Sequence, residues 1–456
     1  LSEIAAIIGF WKRLNNEEKI SVRRSARSSQ ARISAVLAGL VVAVMPAEAM
    51  AGGFAIEQSA YYQGMSYAGA AAGGESLAAI SWNPAALSFA GNGLLMEASA
   101  SVILISIDET VSNPGAQLSP TGATETNFGR NALIGASFYS YRLDSKTVFG
   151  LSLTSPFGLG SKPDDENWVG KYQGVTTYIF NLNATPMVSY EVMPGVSLAA
   201  GVQFDYFGLK RQTAATPSGL ANFKADDYGV GGVAGITVVP MPGTSIGLGY
   251  RSGIKHTMKG HTELGTIAKT SAEASAILPE QVSLGVRHAL SPTTRILGEV
   301  EWVNWSRFGV IPVVITEPIP GIAPAGTTVA NLDFQWRDAW LFALGGEYDW
   351  SPDLTLRAGV GYEISPVDGP TTRLVQDPDS NRLWLSLGAS YDWDANTRLD
   401  FSYSHLFFEN NAPFNRVPAS TSLNGPALIG TADISEDIFS VGFKTDLSAL
   451  MAQLQN

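Results

Sequence analysis

The 456-residue sequence contains no cysteine, so disulfides, thiolate metal ligands and a cysteine nucleophile are excluded. Charge is scarce as well. Only 15% of the residues are Asp, Glu, Lys or Arg, against about a quarter in ordinary soluble domains. The net charge of −12, with no basic cluster after residue 51, argues against nucleic acid as a partner, because a phosphate backbone demands a basic face. Long apolar runs are missing too: no stretch after residue 50 offers the roughly 18 consecutive apolar residues of a membrane-spanning helix. Low charge without such runs is the composition of a transmembrane β-barrel, whose lumen-facing polar residues interrupt the lipid-facing ones.

The N-terminus is where the basic residues gather. Arg23, Arg24, Arg27 and Arg32 precede an apolar run from Ile33 to Met45, followed by Ala47-Glu48-Ala49 and Ala49-Met50-Ala51. A basic region, an apolar region short of a bilayer span and small residues at a cleavage site predict a secretory signal within residues 1–51. Cleavage after Ala51 exposes Gly52, and cleavage after Ala49 is nearly as suitable. Residues 1–20 lie further upstream than a signal normally reaches, which fits an over-called start. The Ser-Val and Ser-Ala flanks of Arg23-Arg24 do not support a twin-arginine signal.

Residues 52–92 are rich in Gly and Ala, hold no Lys or Arg, and carry Asn83-Pro84-Ala85 towards their end. With so few large aliphatics the segment cannot build its own core, so it is expected to lie against a larger structure. From Gly93 the chain alternates between apolar and polar residues with the period of a half-polar strand, as in Phe439, Val441 and Phe443 against Ser440, Gly442 and Lys444. Fourteen strands are predicted, at about 93–107, 129–141, 147–160, 175–191, 195–212, 227–240, 244–259, 276–290, 293–306, 333–350, 353–365, 381–393, 396–409 and 433–447. Tight turns such as Met193-Pro194-Gly195, Ser351-Pro352-Asp353 and Asp394-Ala395-Asn396 follow the even-numbered strands. Long polar or Pro-rich links, such as Asp108 to Phe128, Phe308 to Asn331 and Asn410 to Ala432, follow odd-numbered ones. Short turns on one side and long loops on the other are the layout of an outer-membrane barrel. Tyr139, Tyr141, Tyr190, Tyr348, Trp350, Tyr391 and Trp393 adjoin the tight turns and read as a girdle at the headgroup level.

Catalytic and metal chemistry find little support. His256, His261, His288 and His405 have no metal-ligand spacing. His405 near Ser402 and Ser404 admits an outer-membrane lipid hydrolase, which a His405→Ala assay would decide. Glu299, Glu301 and Asp338 read as lumen or loop charges, and no helix follows the glycines of Ser245 to Gly249 to make a phosphate loop. No cofactor or metal is expected.

Seven fragments, in order, carry a family resemblance: Ser81-Trp82-Asn83-Pro84-Ala85, Leu153 to Leu159, Tyr250-Arg251-Ser252, Leu278-Pro279-Glu280, Trp305-Ser306-Arg307-Phe308, Arg337-Asp338-Ala339-Trp340 and Asp377 to Ser386. On these the chain resembles the FadL-like outer-membrane proteins, the long-chain fatty acid transporters and their aromatic-hydrocarbon relatives, from about Gly52 to Leu447. The resemblance implies an all-β, 14-stranded barrel over 93–447, a hatch inside its lumen over 52–92, and a tail over 448–456. It implies passive uptake of long-chain fatty acids or other hydrophobic molecules, with lateral exit at a kink in the third strand beside the hatch residues Asn83, Pro84 and Ala85. Pro156 removes a ladder donor there, and Gly158 and Gly160, flanking Phe157, remove side chains and relax the backbone. In the fatty acid branch basic residues hold the carboxylate; Lys210, Arg211 and Arg337 are the candidates, with a solvated or lumen-network role as the alternative. Leu447 stands where a terminal Phe is expected. The expected surroundings are outer-membrane lipid, and a plugged, closed barrel needs no partner chain, so a monomer is expected. A general porin for small polar solutes is the alternative, separable by bilayer conductance with and without residues 52–92.

Overall fold

A computed structural model describes residues 58–117, 120–216, 219–265, 268–417 and 426–449. The predicted signal, the first residues of the 52–92 segment and the tail beyond Ala449 lie outside the described residues. Fourteen antiparallel strands form one closed barrel. They are β1 (Leu94–Val111), β2 (Ala132–Arg142), β3 in two pieces (Thr147–Thr154 and Gly158–Ser161), β4 (Thr176–Met193), β5 (Val196–Thr216) and β6 (Gly219–Met241). Next come β7 in two pieces (Thr244–Arg251 and Ile254–Leu264), β8 in two pieces (Ala268–Leu278 and Gln281–Ala289), β9 (Thr294–Val303) and β10 (Ala339–Ser351). The last four are β11 (Leu354–Ile364), β12 (Arg382–Asp394), β13 (Thr397–Phe408) and β14 (Leu428–Asp446). β1 closes the ring by pairing with both β2 and β14: Ala98 lies opposite Ser137 on one side and Phe443 on the other.

The alternation in the sequence becomes the two faces of the wall. On β12, Leu383, Leu385 and Leu387 are exposed on the outside while Trp384 and Ser386 are buried inside. On β14, Phe439 and Val441 face out and Ser440 faces in. Closing the sheet removes the two free edges that an open sheet would present to lipid. The short turns form where Pro and Gly predict them: Gly195 and Gly243 take φ of +77° and +79°, a region glycine enters without the Cβ penalty. Beside these turns Tyr141, Tyr190, Tyr348, Trp350, Tyr391 and Trp393 are exposed, and Tyr139 is half-buried.

Several strands are longer than the sequence predicts. β6 starts at Gly219 rather than 227, because Phe223 and Ala225 are buried in alternation with exposed Lys224 and Asp226, a strand period that its charges disguise as loop. β8 and β14 likewise begin earlier, at Ala268 and Leu428. β10 begins later, at Ala339 rather than 333. Gln335 has φ of +47°, and the chain there turns Trp336 into an aromatic cluster instead of extending the ladder. The long link after β9 contains its own hairpin, Val310–Ile315 paired with Thr328–Asp333, whose first strand docks on β8 at Ala272 and Glu273.

Candidate functional site

Three features stand out: the segment from Gln58 to Asn92, which packs against the wall, the interruption of β3, and an apolar cavity. The segment carries a helical turn α1 (Ala60–Gln63) and two 3-10 helices, Leu77–Ser81 and Pro84–Phe89. Each starts on a side-chain cap, with Ser59, Ser76 and Asn83 accepting from the backbone N–H of Tyr62, Ala78 and Ala85, which satisfies donors that short helices leave free. The backbone lies directly on wall glycines. A methyl group on Gly235, Gly247, Gly249 or Gly359 would collide with Asn83, Ala71, Trp82 or Met65 respectively. Small residues in the segment and glycines in the wall thus have one cause, the close approach of two backbones.

Buried polar groups fix the first half of the segment. The Tyr61 hydroxyl donates to Glu347 of β10 at 2.5 Å, and the same carboxylate receives Arg287, Arg295 and Arg357 at 3.1, 2.9 and 3.1 Å. The Tyr61 ring has the guanidinium of Arg357 3.7 Å and that of Arg398 4.7 Å from its centroid. Gln63 donates to the Ile438 carbonyl at 3.0 Å, the Ser66 and Ser386 hydroxyls are 2.8 Å apart, and Glu299 accepts from the Ala71 N–H at 3.1 Å. Glu97 of β1 accepts from Ser76 and from the Leu77 N–H. In the sequence Glu299 reads only as a lumen or loop charge, and nothing there points to the contact between Tyr61 and Glu347.

Asn83 seats on β6 and β7. Its Nδ2 donates to the carbonyls of Ala71 and Ile236 and to the Thr237 hydroxyl at 2.8, 3.1 and 3.0 Å. Pro84 lies beside Gly235, and Ala85 is buried. The 3-10 helix they begin reaches β3 through Leu87, which packs on Gly150.

β3 breaks at Ser155-Pro156-Phe157. Thr154 pairs with Asn183 and Gly158 with Phe180, so three residues of β3 oppose two of β4; Leu159 and Gly160 then pair with Ile179 and Tyr178. Ser155 donates its hydroxyl to the Asn181 carbonyl at 2.6 Å, and Pro156 has no N–H to give. On the other side the β2–β3 ladder ends at Ser137 and Leu153, followed only by an isolated bridge between Gly129 and Ser161. Phe157 opens a chain of ring contacts: Phe157 to Trp305 at 5.9 Å, Trp305 to Phe308 at 5.2 Å and Phe308 to Phe334 at 5.2 Å.

That chain leads into the cavity, a narrow space of about 40 Å³ lined by Leu159, Ile179, Phe207, Leu209, Phe308 and Phe334, among others. Of the three basic candidates only Arg211 lines it. Arg211 donates to the Gln173 carbonyl at 2.8 Å, and Arg416 places a second positive charge nearby. Lys210 is exposed with its ammonium 5.8 Å from the Tyr178 ring centroid, and Arg337 pairs with Asp368 at 3.2 Å in the outer loops. One step further along β4, β5 and β7 the wall turns polar: Asp205 accepts from Asn181 and Asn183 at 2.7 and 2.8 Å and lies 3.1 Å from His256. On β13, His405 bonds Asp437 at 2.8 Å, whereas Ser404 bonds Ser386 inside the barrel; strand alternation sets this serine and histidine on opposite faces.

A closed antiparallel barrel with an apolar outer face, aromatic residues beside its short turns and a polar interior defines an outer-membrane protein. The family described as outer membrane protein transport protein (OMPP1/FadL/TodX) matches residues 42–447, and the chain belongs to it. Its members are outer-membrane transporters of hydrophobic compounds, and the chain resides in the outer membrane of a Gram-negative bacterium. A putative outer membrane protein of Neisseria meningitidis is 28% identical over 247 residues; the match spans 50% of this chain and about half, 49%, of that relative's length. The long-chain fatty acid transport protein of Escherichia coli O6:H1 is 24% identical over 80% of this chain and 89% of its own. The crystal structure of a Pseudomonas aeruginosa FadL homologue superposes with a TM-score of 0.77 at 24% identity, covering 87% of this chain and all of that one.

Proposed function

We propose that the chain takes up hydrophobic molecules passively, capturing them among the long outer loops, holding them in the apolar cavity, and releasing them sideways through the wall at Pro156, Phe157, Gly158 and Gly160. In this reading residues 52–92 are a hatch inside the lumen. Asn83, Pro84 and Ala85 set the place of the short helix whose Leu87 abuts β3. The observation that carries the reading is the wall itself: where three residues of β3 face two of β4, the ladder to β2 stops. A solute leaving there passes from apolar cavity to lipid. One continuing along the lumen meets Asn181, Asp205 and His256, and its apolar surface goes unburied at about 25 cal/mol per Å². The cavity is far smaller than a fatty acid, so loading requires its wall side chains to move apart. Arg211 favours an anionic head on the ligand, hence fatty acids over uncharged hydrocarbons.

Replacing Gly158 and Gly160 together with valine fills the break with branched side chains. Oleate uptake by cells carrying this double variant is expected to fall to background while the barrel keeps its heat-modifiable gel mobility. Undiminished uptake by a folded double variant would sink lateral exit.

A further inference from the structure

One group in the cavity wall is unused by the function proposed above. Asp377, on the loop joining β11 to β12, is 1% exposed, and among the described residues no hydrogen-bond partner reaches its Oδ2. Leaving a buried polar atom unpaired costs about 1–3 kcal/mol, so one that lines a cavity calls for a partner within that cavity. Arg211 and Gln376 line the same space. Both donate to the carbonyl of Gln173 at 2.8 Å, and a guanidinium has further N–H groups to offer. The remaining wall is apolar or uncharged, with Thr177 from β4, Met258 from β7, Ala276 from β8 and Ile311 from the hairpin. A polar end and an apolar body are thus built into one space.

We propose that Asp377 is a specificity-determining residue of this cavity, its unpartnered carboxyl oxygen meeting the head of an amphipathic ligand held beside Arg211. The inference rests on reading the cavity as the holding site. The charges that act on Asp377 are Asp379 on its own loop and Arg382 from β12, and Arg211 from β5 lines the same cavity. Burial pushes the Asp377 carboxyl well above the ordinary carboxylate range, Asp379 adds to the rise, and Arg382 opposes it. Below its raised pKa the group is a neutral donor to the ligand's head. Above it the group is an anion that repels that head, so affinity falls with rising pH.

The test uses the full barrel in lipid nanodiscs and two probes, dodecanesulfonate, which stays anionic throughout, and dodecane, which has no head. Calorimetry is expected to show wild-type affinity for the sulfonate weakening about tenfold for each pH unit above the Asp377 pKa, with dodecane binding flat. Asp377→Asn keeps a donor and cannot ionise, so it should bind the sulfonate tightly at every pH; Arg211→Met should bind it weakly at every pH. A pH-independent wild-type affinity for the sulfonate, or an Asn variant that titrates like wild type, overturns the role of Asp377. Wild-type protein that binds neither probe overturns the holding-site reading itself, and this inference with it.

Discussion

The two halves of the segment from Gln58 to Asn92 are held by different forces. Residues 60–72 are tied by charge: Tyr61 lies against two guanidiniums and bonds a glutamate that three arginines share. Residues 84–90 are seated by shape, with Leu87 on Gly150; among the described residues, Arg142 supplies their hydrogen bonds from the wall, to the carbonyls of Ser88 and Ala90. Displacing the first half would take the Tyr61 hydroxyl from Glu347 and the Ala71 N–H from Glu299, and a buried acceptor left unpaired costs about 1–3 kcal/mol. Apolar contacts have no such directionality, and a small shift costs only part of their dispersion energy. Under the proposed function, any rearrangement that admits a solute to the β3 break belongs to the second half, while the first stays in place.

The largest way to break this contrast is Glu347→Ala. It removes the ion-pair partner of Arg287 and Arg357 and the acceptor of the Tyr61 hydroxyl, while Arg295 keeps Asp349, and removing one partner of a buried pair costs about 3–5 kcal/mol. The variant is expected to unfold at a clearly lower temperature in heat-modifiability gels and to pass more ions in planar bilayers. A stable, tight variant would mean that charge does not anchor the first half. Asn83→Ala has a smaller expected effect, about 1–3 kcal/mol for the carbonyls it leaves unpaired. Hydrogen exchange should speed up over residues 84–90 and stay slow over 60–72. Equal loss of protection in both would dissolve the distinction.

The barrel is legible in the sequence because its signals are local. Ser440 between Phe439 and Val441, or Pro194-Gly195 between two alternating runs, states strand and turn within a few residues. The anchor is not legible that way: Tyr61 and Glu347 lie 286 residues apart, and alternation assigns each residue a face but not a partner. The same limit blurs the basic candidates. Arg211 and Arg337 look alike in sequence, yet only the fold of the loops sets one in the cavity wall and the other beside Asp368. Gln335 hides its positive φ inside what reads as a continuing strand, which is why the aromatic cluster around Trp336 is invisible until the chain is folded. The glycines of β6, β7 and β11 are plain to see, but that they bed the segment follows only from ring closure.

In the proposed function solute leaves through the wall while the charge-tied half of the segment stays fixed. Ser66 and Ser386 place their hydroxyls 2.8 Å apart, and the chain has no cysteine of its own, so Ser66→Cys with Ser386→Cys creates a single, unambiguous tether between segment and wall. Oleate uptake is to be measured with this pair oxidised and then reduced. Equal uptake in both states is the predicted result; uptake that stops on oxidation and returns with reductant would show that the first half must move, and would contradict the account.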